Sequence, residues 1–393
     1  MAPPPPLQLS FTTLDVFTDT RFAGNPLAVV RVPGNEAAVA RLTQEVKQRI
    51  AREFNLSETV FLHDAAADDD ETANGTSSSR RRVVDIFTVD QELPFAGHPT
   101  IGTAVLVRDV LRWDHVDTLV TKAGAIGITV EGAAPHDDDD AGAAPSSSST
   151  SWAQRLRQRR ILAQIPHDVH VHTRTLRDIL GDDGSSSGGM LGEEEAVLAA
   201  RAQLSDDAAT REAELAAPAV SIVRGMTFLL VELPSVAHLA RVNVGKRLDF
   251  GGGLARALLD EGPWHDSFVS RYYYVKKGAE EEGESKSSAA WSGHTRMVEL
   301  DFEDPATGSA ACTLASYLVL SGKVAGGGGG GKKLRFDIVQ GEHMGRRSDI
   351  AVEIHTKEEE EAGRDDDGSG LYGIDKLFLG GTAVPVMEGT ITV

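Results

Sequence analysis

One carboxylate in this 393-residue chain stands where a proton could be moved. In Asn55-Leu56-Ser57-Glu58-Thr59-Val60-Phe61, Glu58 lies between an amphipathic segment and an apolar one. A carboxyl group flanked by Leu56, Val60 and Phe61 is partly desolvated, which raises its pKa toward the range of a general base. An exposed loop acid or a helix-capping carboxylate fits the same local sequence. His98 follows Gly97 and precedes Pro99. Pro99 suits the first turn of a helix, so His98 stands near a helix entrance. The positive potential there favours neutral imidazole, able to donate or accept one hydrogen bond. An ordinary N-cap histidine is the plainer alternative. In Glu303-Asp304-Pro305-Ala306-Thr307-Gly308-Ser309, the aspartate before proline is biased to extended or turn geometry. Thr307 and Ser309 add two hydroxyls and successive N–H groups. Asp304 and Ser309 are then catalytic auxiliaries or caps of a buried helix.

The phrases around His98 and Ser309 are versions of one another. Pro94-Phe95-Ala96-Gly97-His98 is followed by Pro99 to Ala104, and Pro305-Ala306-Thr307-Gly308-Ser309 by Ala310 to Ala315. In each, proline precedes glycine by three residues and small residues give way to an apolar run. Two such helix starts, one per half of the chain, point to a duplicated architecture. If the halves face each other, two sets of backbone N–H groups converge on one small anion.

The elements around these residues follow from periodicity. Thr12 to Val30 is expected as strand, turn, strand, with Ala23-Gly24-Asn25-Pro26 as the turn. Leu42, Val46, Ile50 and Phe54 recur at helical spacing, which predicts one amphipathic helix over Glu36 to Phe54. Strands are expected over Thr59 to Leu62 and Val83 to Phe87, then a helix over His98 to Val107. Leu119 to Val130 has room for two short strands. In the second half, Ser221 to Val223, Thr227 to Glu232, Phe268 to Val275 and Val298 to Phe302 are expected as strands. Ala237 to Arg241, Leu254 to Leu259 and Ser309 to Leu320 are expected as helices. Leu334 to Gln340, Asp349 to His355, Lys376 to Gly380 and Thr382 to Val386 close the pattern as strands. Between these run low-complexity segments, near Ala65 to Arg81, Ala133 to Ser151, Asp182 to Ala216, Gly278 to Trp291, Ala325 to Lys333 and Lys357 to Gly370. They carry too little apolar surface to offset ordering entropy, and disorder is expected there, with an exposed helix over Glu193 to Ala217 as the exception.

Composition narrows the function. The net charge of −20 sits in acidic runs such as Asp137 to Asp140 and Glu358 to Glu361. These are expected as solvated loops, and the charge argues against nucleic acid as a partner. No apolar stretch approaches the roughly 20 residues that span a bilayer, and no secretory signal is visible at the start. Cys312 is the single cysteine, which excludes an intrachain disulfide and fits a reducing, cytoplasmic setting. The histidines, among them His63, His98, His115, His294 and His343, show no metal-ligand spacing, so no metal is expected. Gly326 to Gly331 lacks the Lys-Ser/Thr of a phosphate-binding loop, and Ser309 sits in no nucleophile elbow. Tyr272 to Tyr274 is expected as a strand with an aromatic face.

Taken together, the phrases resemble the phenazine-biosynthesis isomerase family (PhzF-like), within the diaminopimelate-epimerase fold. The matches are Asp15-Val16-Phe17 with Phe22-Ala23-Gly24-Asn25-Pro26, then Asn55 to Phe61, and Phe87-Thr88 with Glu92 to Thr100. Glu303 to Ala311 follows, and Gln340-Gly341-Glu342 with Gly345-Arg346 adds a weaker match. They stand in the family's order. The resemblance implies an α+β fold of two similar domains, each a small mixed β-barrel around a central α-helix, with the site in the cleft between them. The expected domains are 8–130, to which a last strand near 381–393 could return, and 131–380. The resemblance makes Glu58 the acid/base, His98, Asp304 and Ser309 its polar partners, and Gly97, Gly308 and Asn25 substrate-binding. It favours a homodimer. Related epimerases invert with two opposed thiols, which a chain with one cysteine cannot do. The expectation is therefore a cofactor-independent isomerase that moves a proton between carbons of a small carboxylic acid. The alternatives are an epimerase or racemase using Glu58 with another acid/base, or a non-catalytic binding protein retaining the fold.

Overall fold

The structure is a computed structural model and describes residues 6–66, 80–132, 159–181, 194–246, 248–251, 253–277, 290–298, 303–324, 331–357 and 373–393. Most of the low-complexity segments expected to be disordered lie outside the described residues. The chain divides into two compact units, Met1–Gln164 with Leu379–Val393, and Ile165–Phe378.

The first unit runs β1 (Gln8–Val16), β2 (Asn25–Val32), α1 (Glu36–Arg41), α2 (Gln44–Phe54), β3 (Thr59–Ala66), β4 (Arg81–Phe87), β5 (Glu92–Leu93), α3 (Gly97–Val105), β6 (Thr118–Thr121), β7 (Gly124–Glu131) and β8 (Arg160–Gln164). The C-terminal strand Ala383–Thr392 pairs antiparallel with β1. From there the sheet continues through β2, β3, β4, β6, β7 and β8. Two of its pairs, β2 with β3 and β4 with β6, are parallel. All nine residues of α3 are buried. This helix touches β1, β2 and β3, and also β8 and the C-terminal strand, so the sheet curls around it. A helix that is buried on every side needs such a surround. Gly102 lets the helix approach: a Cβ there would lie 2.6 Å from Leu27 Cδ2 and 2.7 Å from Val16 Cγ2.

The second unit repeats this order. It runs β9 (His170–Val171), α4 (Leu176–Leu180), α5 (Glu194–Ala202), α6 (Ala208–Ala216), β10 (Ala219–Val223), β11 (Met226–Glu232), α7 (Val236–Arg241), α8 (Leu254–Leu258), β12 (Phe268–Lys276), β13 (Trp291–Val298), β14 (Glu303–Asp304), α9 (Gly308–Leu320), β15 (Lys333–Gln340) and β16 (Ser348–Thr356). From β10 onward the elements match those from β1 onward. Each half has two strands, two helices, two strands, a two-residue strand, a buried helix and two strands. The parallel pairs recur as β11 with β12 and β13 with β15. Helix α9 touches β10, β11 and β16, as α3 touches its own strands.

Several expectations need correction. The helix expected over Glu36 to Phe54 is two helices, because Leu42 ends the first and Thr43 starts the second by accepting the Val46 N–H. The apolar spacing continues across the break, so periodicity alone could not show it. The strand expected over Val298 to Phe302 is instead Trp291–Val298, and 299–302 lie outside the described residues. The exposed helix expected over Glu193 to Ala217 is two helices with buried faces. Ala200, Leu204 and Leu215 join a core with Leu176, Ile179 and Leu180. Glu214 of α6 is 1 % exposed. Arg271 reaches it at 2.9 Å, the Tyr273 hydroxyl donates to it, and so does the Ser205 N–H. A buried carboxylate is tolerated when charge and hydrogen bonds compensate it in this way. Tyr272, Tyr273 and Tyr274 are all buried, so the strand has two covered faces rather than one aromatic face. No helix among the described residues is long and apolar enough to cross a membrane.

The fit of α3 against β1 and β2 can be tested at Gly102. Gly102→Ala should lower stability by about 1–2 kcal/mol, since overpacking outweighs the gain in helix propensity. Gly127→Ala, where an added Cβ meets nothing within 4 Å, should leave the urea midpoint unchanged.

Candidate active site

Glu58 is placed by a helix stop and a strand start. Helix α2 ends at Asn55, which adopts the left-handed conformation with φ 50°. Asparagine tolerates this better than most residues, and its N–H still closes the turn on Ala51 O at 3.0 Å. Strand β3 starts at Thr59, leaving Glu58 at its entrance. Thr59 pairs in parallel with Ala28. The same end of the sheet therefore carries Asn25, the first residue of β2. The turn before it is also held in place. Phe22 has φ 67° and donates its N–H to Asp15 Oδ2 at 2.6 Å. Gly24 has φ 66°, and a Cβ there would lie 2.3 Å from Val16 O.

The structure brings Glu58, His98 and Asn25 together. Ala96, not His98, is the N-cap of α3; His98 is the second helical residue, and Gly97 the first. Its ring is buried, with Asn25 Nδ2 3.3 Å from Nδ1 and Glu58 Oε2 3.5 Å from Nε2. No described residue donates a hydrogen bond to Glu58 Oε2. Burial pushes the Glu58 carboxyl from 4.5 up to about 7. The adjacent Ser57 hydroxyl opposes this rise, but forms no hydrogen bond by distance and angle. The side chain keeps 17 % exposure. Such a group is ionised and protonated in comparable amounts at neutral pH, so it can take a proton and return it.

Asp304, Thr307 and Ser309 stand at the start of α9, in the second unit. Thr307 is the N-cap and Gly308 the first helical residue, so Ser309 occupies the position that His98 holds in α3. Neither N-cap residue, Ala96 or Thr307, makes a side-chain capping hydrogen bond. Thr307 donates its hydroxyl to Asp304 Oδ2 at 2.6 Å. Sequence reasoning missed the residue that ties this loop down. Buried Gln340, at the end of β15, donates to Asp304 O at 2.8 Å and to Thr307 Oγ1 at 3.0 Å. Its Oε1 accepts the Thr307 N–H at 3.2 Å. Gly341 follows with φ 77°, and a Cβ there would lie 2.6 Å from Pro305 O. The Gln340-Gly341 phrase was visible in the sequence; its reach across the unit was not. Cys312 is fully buried in α9, and burial raises its thiol pKa far above the usual range.

The structure also brings together His170, His172 and Asp260, whose ligand atoms lie within 4.8 Å of one another. The expectation of no metal took the histidines as a group and did not single out this cluster. Their atoms are engaged with one another and with the fold. His172 Nδ1 accepts the Asp260 N–H at 3.0 Å, and Nε2 lies 2.9 Å from Ser221 Oγ. His170 Nε2 pairs with Asp260 Oδ2 at 2.8 Å, and its ring stacks on Trp264. Burial lowers the His172 pKa to about 4, consistent with a neutral structural ring.

The Glu58 environment has a measurable thermodynamic consequence. The unfolded chain releases this proton near 4.5, the folded one near 7. Between these values the folded state binds more protons, so the contribution to stability is lost as pH rises through the window. Glu58→Gln escapes that loss. Its stability relative to wild type should therefore rise by about 2–3 kcal/mol from pH 4 to pH 8, measured by urea unfolding.

A family model described as phenazine biosynthesis-like protein matches residues 14–151 and 295–389. Over 117 residues, 30% of this chain and 35% of the relative, the chain is 44% identical to an uncharacterised isomerase of Pasteurella multocida. It is 34% identical over 122 residues, 31% of this chain and 37% of the relative, to a trans-2,3-dihydro-3-hydroxyanthranilate isomerase of Pseudomonas fluorescens. The chain thus spans little more than a third of the length of these curated relatives. The fold is similar to that of a phenazine biosynthesis protein of the PhzF family from Bacillus anthracis, with a TM-score of 0.57 and 16% identity, covering 98% of this chain and 100% of that one. With more than half of its length matched by the family model, this chain belongs to the phenazine biosynthesis-like protein family.

Proposed function

We propose that this protein is an isomerase that moves a proton between two carbons of a small carboxylic acid, with Glu58 as the acid/base. The observation that carries this reading is the Glu58 carboxyl, raised to about 7 by burial and set 3.5 Å from His98. The ionised carboxylate removes a proton from carbon, and the electron pair left behind delocalises toward the conjugated system of the substrate. The carboxylic acid then returns a proton at another carbon on the same face, after its own proton has had the chance to exchange with solvent. Atoms and charge balance without an oxidant or a second base. His98 lies close enough to stabilise the carboxylate form. Proposed on the resemblance are the roles of Asp304 and Ser309 as polar partners, and of Gly97 and Gly308 as backbone contacts for the substrate carboxylate. Inversion by two thiols is disfavoured, because Cys312 is the only cysteine and is buried.

The relative named for trans-2,3-dihydro-3-hydroxyanthranilate supplies the first probe. Incubated with that compound in deuterium oxide, the wild-type protein should catalyse isomerisation with exchange at carbon. Glu58→Gln should reduce the rate by about 10²–10⁴-fold. Full activity in that variant removes Glu58 from the role, and a product inverted at its stereocentre favours epimerisation. If neither this probe nor a panel of small cyclic carboxylic acids exchanges, the non-catalytic alternative is favoured. A second expectation concerns pH. Because the free enzyme must present Glu58 ionised, kcat/KM should rise through about pH 7, where the folded carboxyl titrates.

A further inference from the structure

Asn25 is buried at the first position of β2, at 1 % exposure. The resemblance makes it a substrate-binding residue, yet its amide nitrogen lies 3.3 Å from His98 Nδ1. An amide nitrogen can only donate, so Nδ1 must accept, and the neutral ring carries its proton on Nε2. Nε2 is the atom that faces Glu58 Oε2, at 3.5 Å. We propose that Asn25 is a positioning residue, holding His98 as the Nε2–H tautomer and so presenting an N–H, rather than a lone pair, to Glu58.

The consequence concerns where the mobile proton can go. With the proton on Nδ1, the Nε2 lone pair would face Glu58 and could accept its proton, diverting it from substrate. With the proton on Nε2, the neutral ring has no acceptor on that side. It can only donate to the carboxylate, and the proton taken from carbon stays on Glu58. Asparagine is suited to this because it donates without bringing charge. An aspartate of the same shape would accept from Nδ1–H, reversing the tautomer or stabilising imidazolium. The local backbone supports the placement. Gly24 at φ 66° and the Asp15 carboxylate bonded to the Phe22 N–H set the turn that delivers Asn25.

This inference rests on the reading of Glu58 as acid/base, but its main test does not need activity. Long-range nitrogen–proton NMR on ¹⁵N-histidine-labelled full-length protein distinguishes the tautomers, with His98→Gln identifying the signal. Wild-type His98 is expected as neutral Nε2–H at pH 7 to 8. Asn25→Asp should place a proton on Nδ1 and slow isomerisation of trans-2,3-dihydro-3-hydroxyanthranilate by about 10²-fold with little change in KM. An Nδ1–H tautomer in the wild type overturns the proposal, as does an Asn25→Asp protein with the wild-type tautomer. Should that variant fail to fold, the wild-type spectrum decides alone. A Glu58→Gln protein that keeps full activity sinks the acid/base reading, while the tautomer measurement still decides whether Asn25 orients His98.

Discussion

A carboxylate kept short of solvating partners is the constraint on which the proposed chemistry depends. Water would hold Glu58 ionised at neutral pH, and a close cation would do so more firmly. Here burial raises its pKa, and the ion-pair partner among the described residues is an imidazole 3.5 Å away. The scaffold that creates this setting combines local stops with pairing between distant segments. Asn55 ends α2 in a left-handed conformation, Thr59 enters the sheet beside Ala28, and the first turn of α3 brings in His98. Each is cheap by itself; together they leave a polar group at the edge of an apolar core.

The internal repeat places different side chains at matching positions of two like scaffolds. Both halves wrap strands around a buried helix entered through a proline-containing loop. In the first, the carbonyl of Pro94 accepts the Ala123 N–H at 3.1 Å, from the segment that follows β6. In the second, Gly341, just after β15, packs against the carbonyl of Pro305. The same topological junction thus secures both helix entrances. Their side chains differ. His98 corresponds to Ser309, and the position of Glu58, directly before β3, is held by Ser267 directly before β12. Only the first half carries an acid there, which suits a reaction using a single proton-moving group.

Much of the fold was legible because the strands are short, apolar and bounded by turn residues, and because both central helices combine small residues with an apolar run. The failures have a common cause. The break at Thr43, the strand Trp291–Val298 and the buried helices α5 and α6 are decided by capping or by long-range packing, neither of which alters local composition much. Alanine and glutamate read as an exposed helix until Arg271 and Tyr273 claim Glu214. His170 and His172 stand two residues apart in the sequence, but Asp260 joins them from about ninety residues away, which local sequence does not show.

By itself the sequence determined the duplicated helix entrances, the lone cysteine and the apolar flanks of Glu58, since these depend on residue type and spacing along a few turns. Tertiary structure decided the rest of the site. Whether Glu58 is desolvated depends on the sheet and helix that close over it, and Asn25 reaches His98 only because α3 packs against β2. Gln340 binds the Asp304–Thr307 loop across more than thirty residues. Electrostatic environment and hydrogen-bond partnership are set by distance in space, and local sequence encodes that distance only through the completed fold.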